Sequence, residues 1–108
     1  MKEVPNLKYI KELAGDDKAF EQKFIDIVKL EFPEEKQEYI NCYTGNKYLS
    51  TAEIVHKLKH KFNILGMHEG YRLAVTYEEE LKLENTNLHT SFLRVLETIE
   101  AYIKDLKA

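Results

Sequence analysis

Glycine and proline punctuate this chain so rarely that little besides helix is open to it. Its 108 residues contain four glycines and two prolines. Between them, every long stretch repeats apolar residues at intervals of three and four, the period of one helix face. No low-complexity segment or internal repeat interrupts that pattern. The length is that of a single domain with one core, so residues 1–108 are read as one unit.

Local signals divide the helices. Asn6 can cap a short first helix carrying Leu7, Ile10 and Leu13 on one face, and Gly15 can stop it. Asp16 or Asp17 can cap the next helix, whose broad stripe of Phe20, Phe24, Ile27, Val28 and Leu30 to Phe32 should face the core. Pro33 removes a backbone donor, and Glu34 and Glu35 after it suit a helix start, so a break or kink is expected there. Tyr39, Ile40 and Tyr43 then share a side until Gly45 ends the segment as a left-handed residue.

Ser50 and Glu53 have capping-box spacing, which puts the next helix start just before Thr51. A turn over Gly66 to Gly70 should precede a helix bearing Tyr71, Ala74, Val75, Tyr77 and Leu81, ending near Glu84. The polar stretch Glu84 to Asn87 reads as a loop with Asn87 as a cap. The last helix carries Phe92, Val95, Leu96, Ile99, Tyr102, Ile103 and Leu106. The expected fold is all-α: an antiparallel four-helix bundle with a short extra N-terminal helix.

Several functions are disfavoured at this level. A formal net charge of -3 argues against a general nucleic-acid binder. Cys42 is the lone cysteine, which rules out an intramolecular disulfide and a cysteine-based zinc site and fits a reducing cytoplasm. No apolar run approaches the roughly 20 residues of a membrane span, and the first residues lack a signal-peptide core. Neither a phosphate-cradling glycine loop nor a nucleophile with a recognisable base pattern is present.

The stretch VHKLKHKFNILGM, Val55 to Met67, is the part that bears chemistry. At 100° per residue, Ala52, Val55, Leu58, Phe62 and Leu65 turn to the core. His56, Lys59, His60 and Asn63 form a polar stripe beside them, while Lys57 and Lys61 point further into solvent. Two histidines four apart suggest a metal, but Lys57 and Lys59 lie between them and further ligands are missing. As a basic patch the stretch lacks interleaved aromatics. A neutral imidazole can also attack phosphorus and hold a phosphoryl group as a phosphoramidate. Lys59, one turn on, can balance charge on the group's oxygens. His68 and His89 are read as surface polar residues.

The stretch resembles the signature of histidine-containing phosphotransfer (HPt) domains. In that family His-x-(Leu/Ile)-Lys is followed by small residues and by glycine ten positions after the histidine. His56, Leu58, Lys59, Leu65 and Gly66 match it without a gap, and the length and order of helices agree along the chain. The resemblance implies a phosphorelay intermediate and not an independent enzyme. His56 would be the phosphoacceptor and Lys59 would lie near the phosphoryl oxygens. Gly66 would permit close packing or a turn beneath the site, and Lys57 and Lys61 would be docking residues.

The implied partners are response-regulator receiver domains and a hybrid sensor histidine kinase. The chain would be a stand-alone cytoplasmic monomer with no cofactor or metal of its own, Mg²⁺ being held by the receiver. One departure stands out: His60 occupies the place four after the phosphoacceptor where the family commonly has a small residue. It could crowd a docking receiver or hydrogen-bond a phosphoryl oxygen. The alternative function is an HPt-like module that binds receivers or other signalling proteins without accepting phosphate.

Overall fold

The computed structural model describes residues 3–106, which form five α-helices and no strand. They are α1 (Lys8–Ala14), α2 (Lys18–Thr44), α3 (Tyr48–Ile64), α4 (His68–Lys82) and α5 (His89–Asp105). None is long and apolar enough to cross a membrane.

Two expected boundaries are observed. Gly15 ends α1 with φ +59°, and Asp17 caps α2 by accepting a hydrogen bond from the Phe20 amide at 2.9 Å. The break expected at Pro33 is absent, because α2 runs through it unbroken. A proline inside a helix costs about 3 kcal/mol. Phe32 and Tyr39, seven residues apart on one face and both fully buried, tie the two halves to the same core. Burying two such side chains contributes more than the proline costs. The buried stripe of α2 is also narrower than its sequence suggests: Ile25, Val28, Phe32 and Tyr39 enter the core, whereas Phe20, Ile27 and Leu30 remain exposed.

Asn6 also serves the start of α1, its Oδ1 accepting from the Lys8 amide at 3.0 Å, whereas the starts of α3, α4 and α5 differ from the sequence expectation because no side chain of their N-cap residues sets them. α3 begins at Tyr48, with Lys47 as a cap that makes no side-chain bond. Ser50 and Glu53 therefore lie inside its first turns. Tyr48 is partly buried against the core, and Thr51 Oγ1 donates to the Lys47 carbonyl at 2.7 Å. Ahead of α3 the left-handed residue is Asn46, φ +56°, and not Gly45, whose φ is -82°. Asn87 does not cap α5; its amide donates to Asn85 Oδ1 at 2.8 Å, and the helix begins two residues later.

α4 starts at His68, so Gly70 is helical and not part of a turn. Gly70 is buried where a Cβ would come within 3.1 Å of Val95 Cγ1, so a side chain there would press on α5 and Val95 would have to give way slightly. The first turn of α4 is completed by a residue from before α1. Glu3 accepts hydrogen bonds from the Glu69 amide at 2.9 Å and from the Gly70 amide at 3.1 Å, placing an anion where the helix dipole favours one. Nearby, the Asn6 amide donates to the Leu65 carbonyl at 2.8 Å.

The core is organised around α3, which packs against both α2 and α4. The face assigned to its interior, Ala52, Val55, Leu58, Phe62 and Leu65, is buried in full. Phe92 of α5 lies where the helices converge. Its ring centroid is 4.9 Å from that of Tyr39, 5.2 Å from Tyr77 and 5.5 Å from Phe62. With Val55 and Leu58 held inward, the residues between them must face out, which is how the fold presents His56.

Candidate functional site

His56 stands in the third turn of α3 with its side chain half exposed, at 51%. Its Nδ1 faces the carboxylate of Glu78 on α4, 3.1 Å from Oε2 and 3.3 Å from Oε1. The same carboxylate accepts from Lys59 Nζ at 3.0 Å through Oε1. Both members of that pair are mostly enclosed, Lys59 at 14% and Glu78 at 13% side-chain exposure. Lys82, one turn along α4, stands 4.0 Å from Glu78 Oε2.

The electrostatics follow from this arrangement. Burial works to raise the pKa of Glu78, but the hydrogen bond and charge of Lys59, joined by His56, outweigh it and hold the carboxyl below its ordinary value. Glu78 is thus ionised at neutral pH and can only accept hydrogen bonds. A neutral His56 must then carry its proton on Nδ1, which leaves the Nε2 lone pair unprotonated. A groove of about 500 Å³ opens beside the ring between Leu49, Ala52, Lys57, Glu78 and Lys82.

The structure separates the other residues singled out in the sequence. The His60 ring is near-perpendicular to that of His56, at 83°, with centroids 5.0 Å apart, so it belongs to the site. Lys57 is exposed at the rim of the groove. Lys61 does not point into solvent: its Nζ lies 2.9 Å from Glu31 and 3.3 Å from Glu35 of α2, with a side chain only 12% exposed. Those two acids, four apart on one face of α2, turn Lys61 away from His56. Asn63 and Gly66 line a separate cavity with Asn6, Tyr9 and His68. Gly66, ten residues beyond His56 and so about 15 Å along the axis, forms the left-handed turn out of α3 with φ +76°.

Glu78 is the residue that sequence reasoning missed. It follows the buried Tyr77 on the flank of the α4 stripe, and an acid there opposite a His/Lys stripe was the available signal. Pairing them required knowing how α4 sits against α3.

His89 also departs from expectation, since it is only partly exposed and its ring is held by aromatic neighbours. Its ring stacks on Tyr43 at 3.6 Å and 5°. Its Nδ1 is 2.6 Å from the Tyr39 hydroxyl, which is itself 2.7 Å from the Tyr77 hydroxyl, so α2, α4 and α5 meet in one polar chain. Burial pushes the Tyr77 phenol up to about 12 and raises Tyr39 further, so both keep their protons. Burial lowers the pKa of His89 from its ordinary 6.5. A depressed histidine gives stability that is present above the unfolded value and is lost as pH falls through the folded one. The urea midpoint of the wild type should therefore drop on acidification from about pH 7.5 to about pH 5 more than that of a His89→Phe variant, which keeps the stack without the titration. Parallel slopes for the two proteins would refute this.

Comparison of the chain with family models, with curated proteins and with solved structures gives no match.

Proposed function

We propose that this chain is a histidine phosphocarrier of the HPt kind in a multistep two-component phosphorelay. It accepts a phosphoryl group on His56 from the aspartyl phosphate of one receiver domain and passes it to the aspartate of another. The observation that carries this reading is the half-exposed His56 ring whose Nδ1 meets the ionised Glu78. An imidazole so held presents a fixed nucleophilic edge to solvent and needs no base of its own.

In the transfer step the Nε2 lone pair forms a bond to phosphorus. The P–O bond of the aspartyl phosphate breaks, and its electron pair goes to the receiver carboxylate. The ring, still protonated on Nδ1, becomes cationic, and the carboxylate 3.1 Å away balances the new charge. Onward transfer is the reverse of this step towards a second receiver, with Mg²⁺ contributed by the receiver in each case. On this reading α2 to α5 form an antiparallel four-helix bundle with α1 across one end. The carrier works as a cytoplasmic monomer between a hybrid sensor histidine kinase and response regulators.

Incubation with a phosphorylated receiver domain should move label onto the chain in an acid-labile, base-stable form, and a His56→Gln variant should take none. A second reading is favoured by the pairing of Lys59 with Glu78, which leaves that ammonium already neutralised: a module that docks receivers without accepting phosphate. Receiver binding without label in the wild type would establish that reading and defeat the carrier.

A further inference from the structure

The HPt motif assigns Lys59 to the oxygens of the transferred group, but the Lys59 ammonium is already bound to Glu78 at 3.0 Å and largely enclosed. That leaves Lys59 engaged elsewhere, and another side chain of α3 stands beside the His56 ring. His60 is exposed, and its ring makes no hydrogen bond to another side chain among the described residues. It lies one turn after His56, and helical side chains lean towards the N-terminus, so the fold carries it over the His56 turn. With Nδ1 directed at Glu78, the edge of His56 left for phosphorus is Nε2. The His60 ring is near-perpendicular to that of His56 with its centroid 5.0 Å away, a spacing from which rotation of an exposed side chain can bring a ring nitrogen to oxygens borne on that edge. Imidazole keeps at least one N–H in either protonation state, so the donor is always available.

We propose that His60 is a positioning residue whose ring N–H donates to a phosphoryl oxygen on His56 Nε2, taking the part that Lys59 cannot play while it is bound to Glu78. The proposal rests on His56 being the phosphoacceptor. Because this hydrogen bond exists in the phosphorylated state alone, it favours loading of the carrier and leaves the unphosphorylated fold unchanged. A charge-assisted bond of this kind corresponds to about tenfold in the loading equilibrium.

The full chain can be loaded chemically with phosphoramidate in an ammonia buffer, without any receiver. The Nε2 lone pair attacks phosphorus, and the P–N bond of the reagent breaks with its electron pair leaving on ammonia. The plateau fraction of phosphorylated protein is read by ³¹P NMR, the modified residue by mass-spectrometric fragmentation, and the His60 ring by its ¹⁵N shifts. His60→Ala should load about tenfold less at equilibrium with an unchanged thermal midpoint, and His60→Gln, which retains an N–H donor, should recover most of the loss. The wild-type His60 ring nitrogens should shift on loading, and in His56→Gln they should not. Equal or greater loading of His60→Ala, with His56 labelled in the wild type, overturns the role of His60 alone. Failure of phosphoramidate to label His56, or label found on His60 in its place, overturns the phosphoacceptor assignment as well.

Discussion

If His56 is the phosphoacceptor proposed, replacing Glu78 with glutamine should slow phosphoryl uptake from a phosphorylated receiver about 10- to 100-fold while leaving the helical spectrum of the protein intact. Glu78 accepts from both His56 and Lys59, and an amide oxygen of similar shape can accept from them without balancing their charge. A hydrogen bond to a charged group is worth about 1.5–3 kcal/mol, and about 1.4 kcal/mol corresponds to tenfold in rate. The amide also removes the rule that fixes the tautomer, because its NH₂ can donate to Nδ1 and so send the ring proton to Nε2, where it blocks attack. Freed from the carboxylate, Lys59 becomes available to phosphoryl oxygens, which offsets part of the loss but cannot restore the nucleophile. Quench-flow measurement of label transfer, with the melting curve as a control for folding, checks the prediction. An unchanged transfer rate would remove Glu78 from the site.

The largest effect on stability is expected at Phe92. Truncation to alanine should cost about 3–5 kcal/mol, a large part of the roughly 5–15 kcal/mol that holds a domain folded. Phe92 is fully buried, and its ring meets Tyr39, Tyr77 and Phe62 from three other helices, so no single neighbour can move in to fill the space. Part of the cost is indirect, because Tyr39 and Tyr77, whose hydroxyls are 2.7 Å apart, both pack on the Phe92 ring. Urea unfolding followed by circular dichroism gives the number. A loss below about 1 kcal/mol would mean that the core closes over the gap, contrary to the packing described.

How much of this was readable in advance depends on the range of the forces involved. The inward face of α3 was legible residue by residue, since Val55, Leu58 and Phe62 recur at the helical period and burial follows that period. The Asp17 cap and the Gly15 stop are contacts within a few residues, and the sequence shows them directly. Pro33 misled because a local penalty met a larger non-local gain from Phe32 and Tyr39. The starts of α3, α4 and α5 misled because packing and a distant carboxylate set them in place of side-chain caps.

The site divides in the same way. His56, Lys59 and His60 are spaced along one helix and can be read from it. Glu78 comes from 22 residues further on, and its meeting with His56 is a property of how two helices pack. Lys61 looked like its neighbours Lys57 and Lys59 in sequence, and only the position of Glu31 and Glu35 on α2 gives it a different task.

The carboxylate of Glu3 at the head of α4 bears on the order in which the chain can assemble. The contact spans 66 residues, so during synthesis it cannot form until the start of α4 has followed Glu3 out. Closing so long a loop is entropically costly until other contacts hold its ends near each other. The N-cap residue of α4, Met67, makes no side-chain capping bond, so the amides of its first turn depend on Glu3 for a side-chain acceptor. The helix that supplies Glu78 is in this sense completed by a carboxylate that precedes α1, which couples the placing of Glu78 to the closure of the bundle.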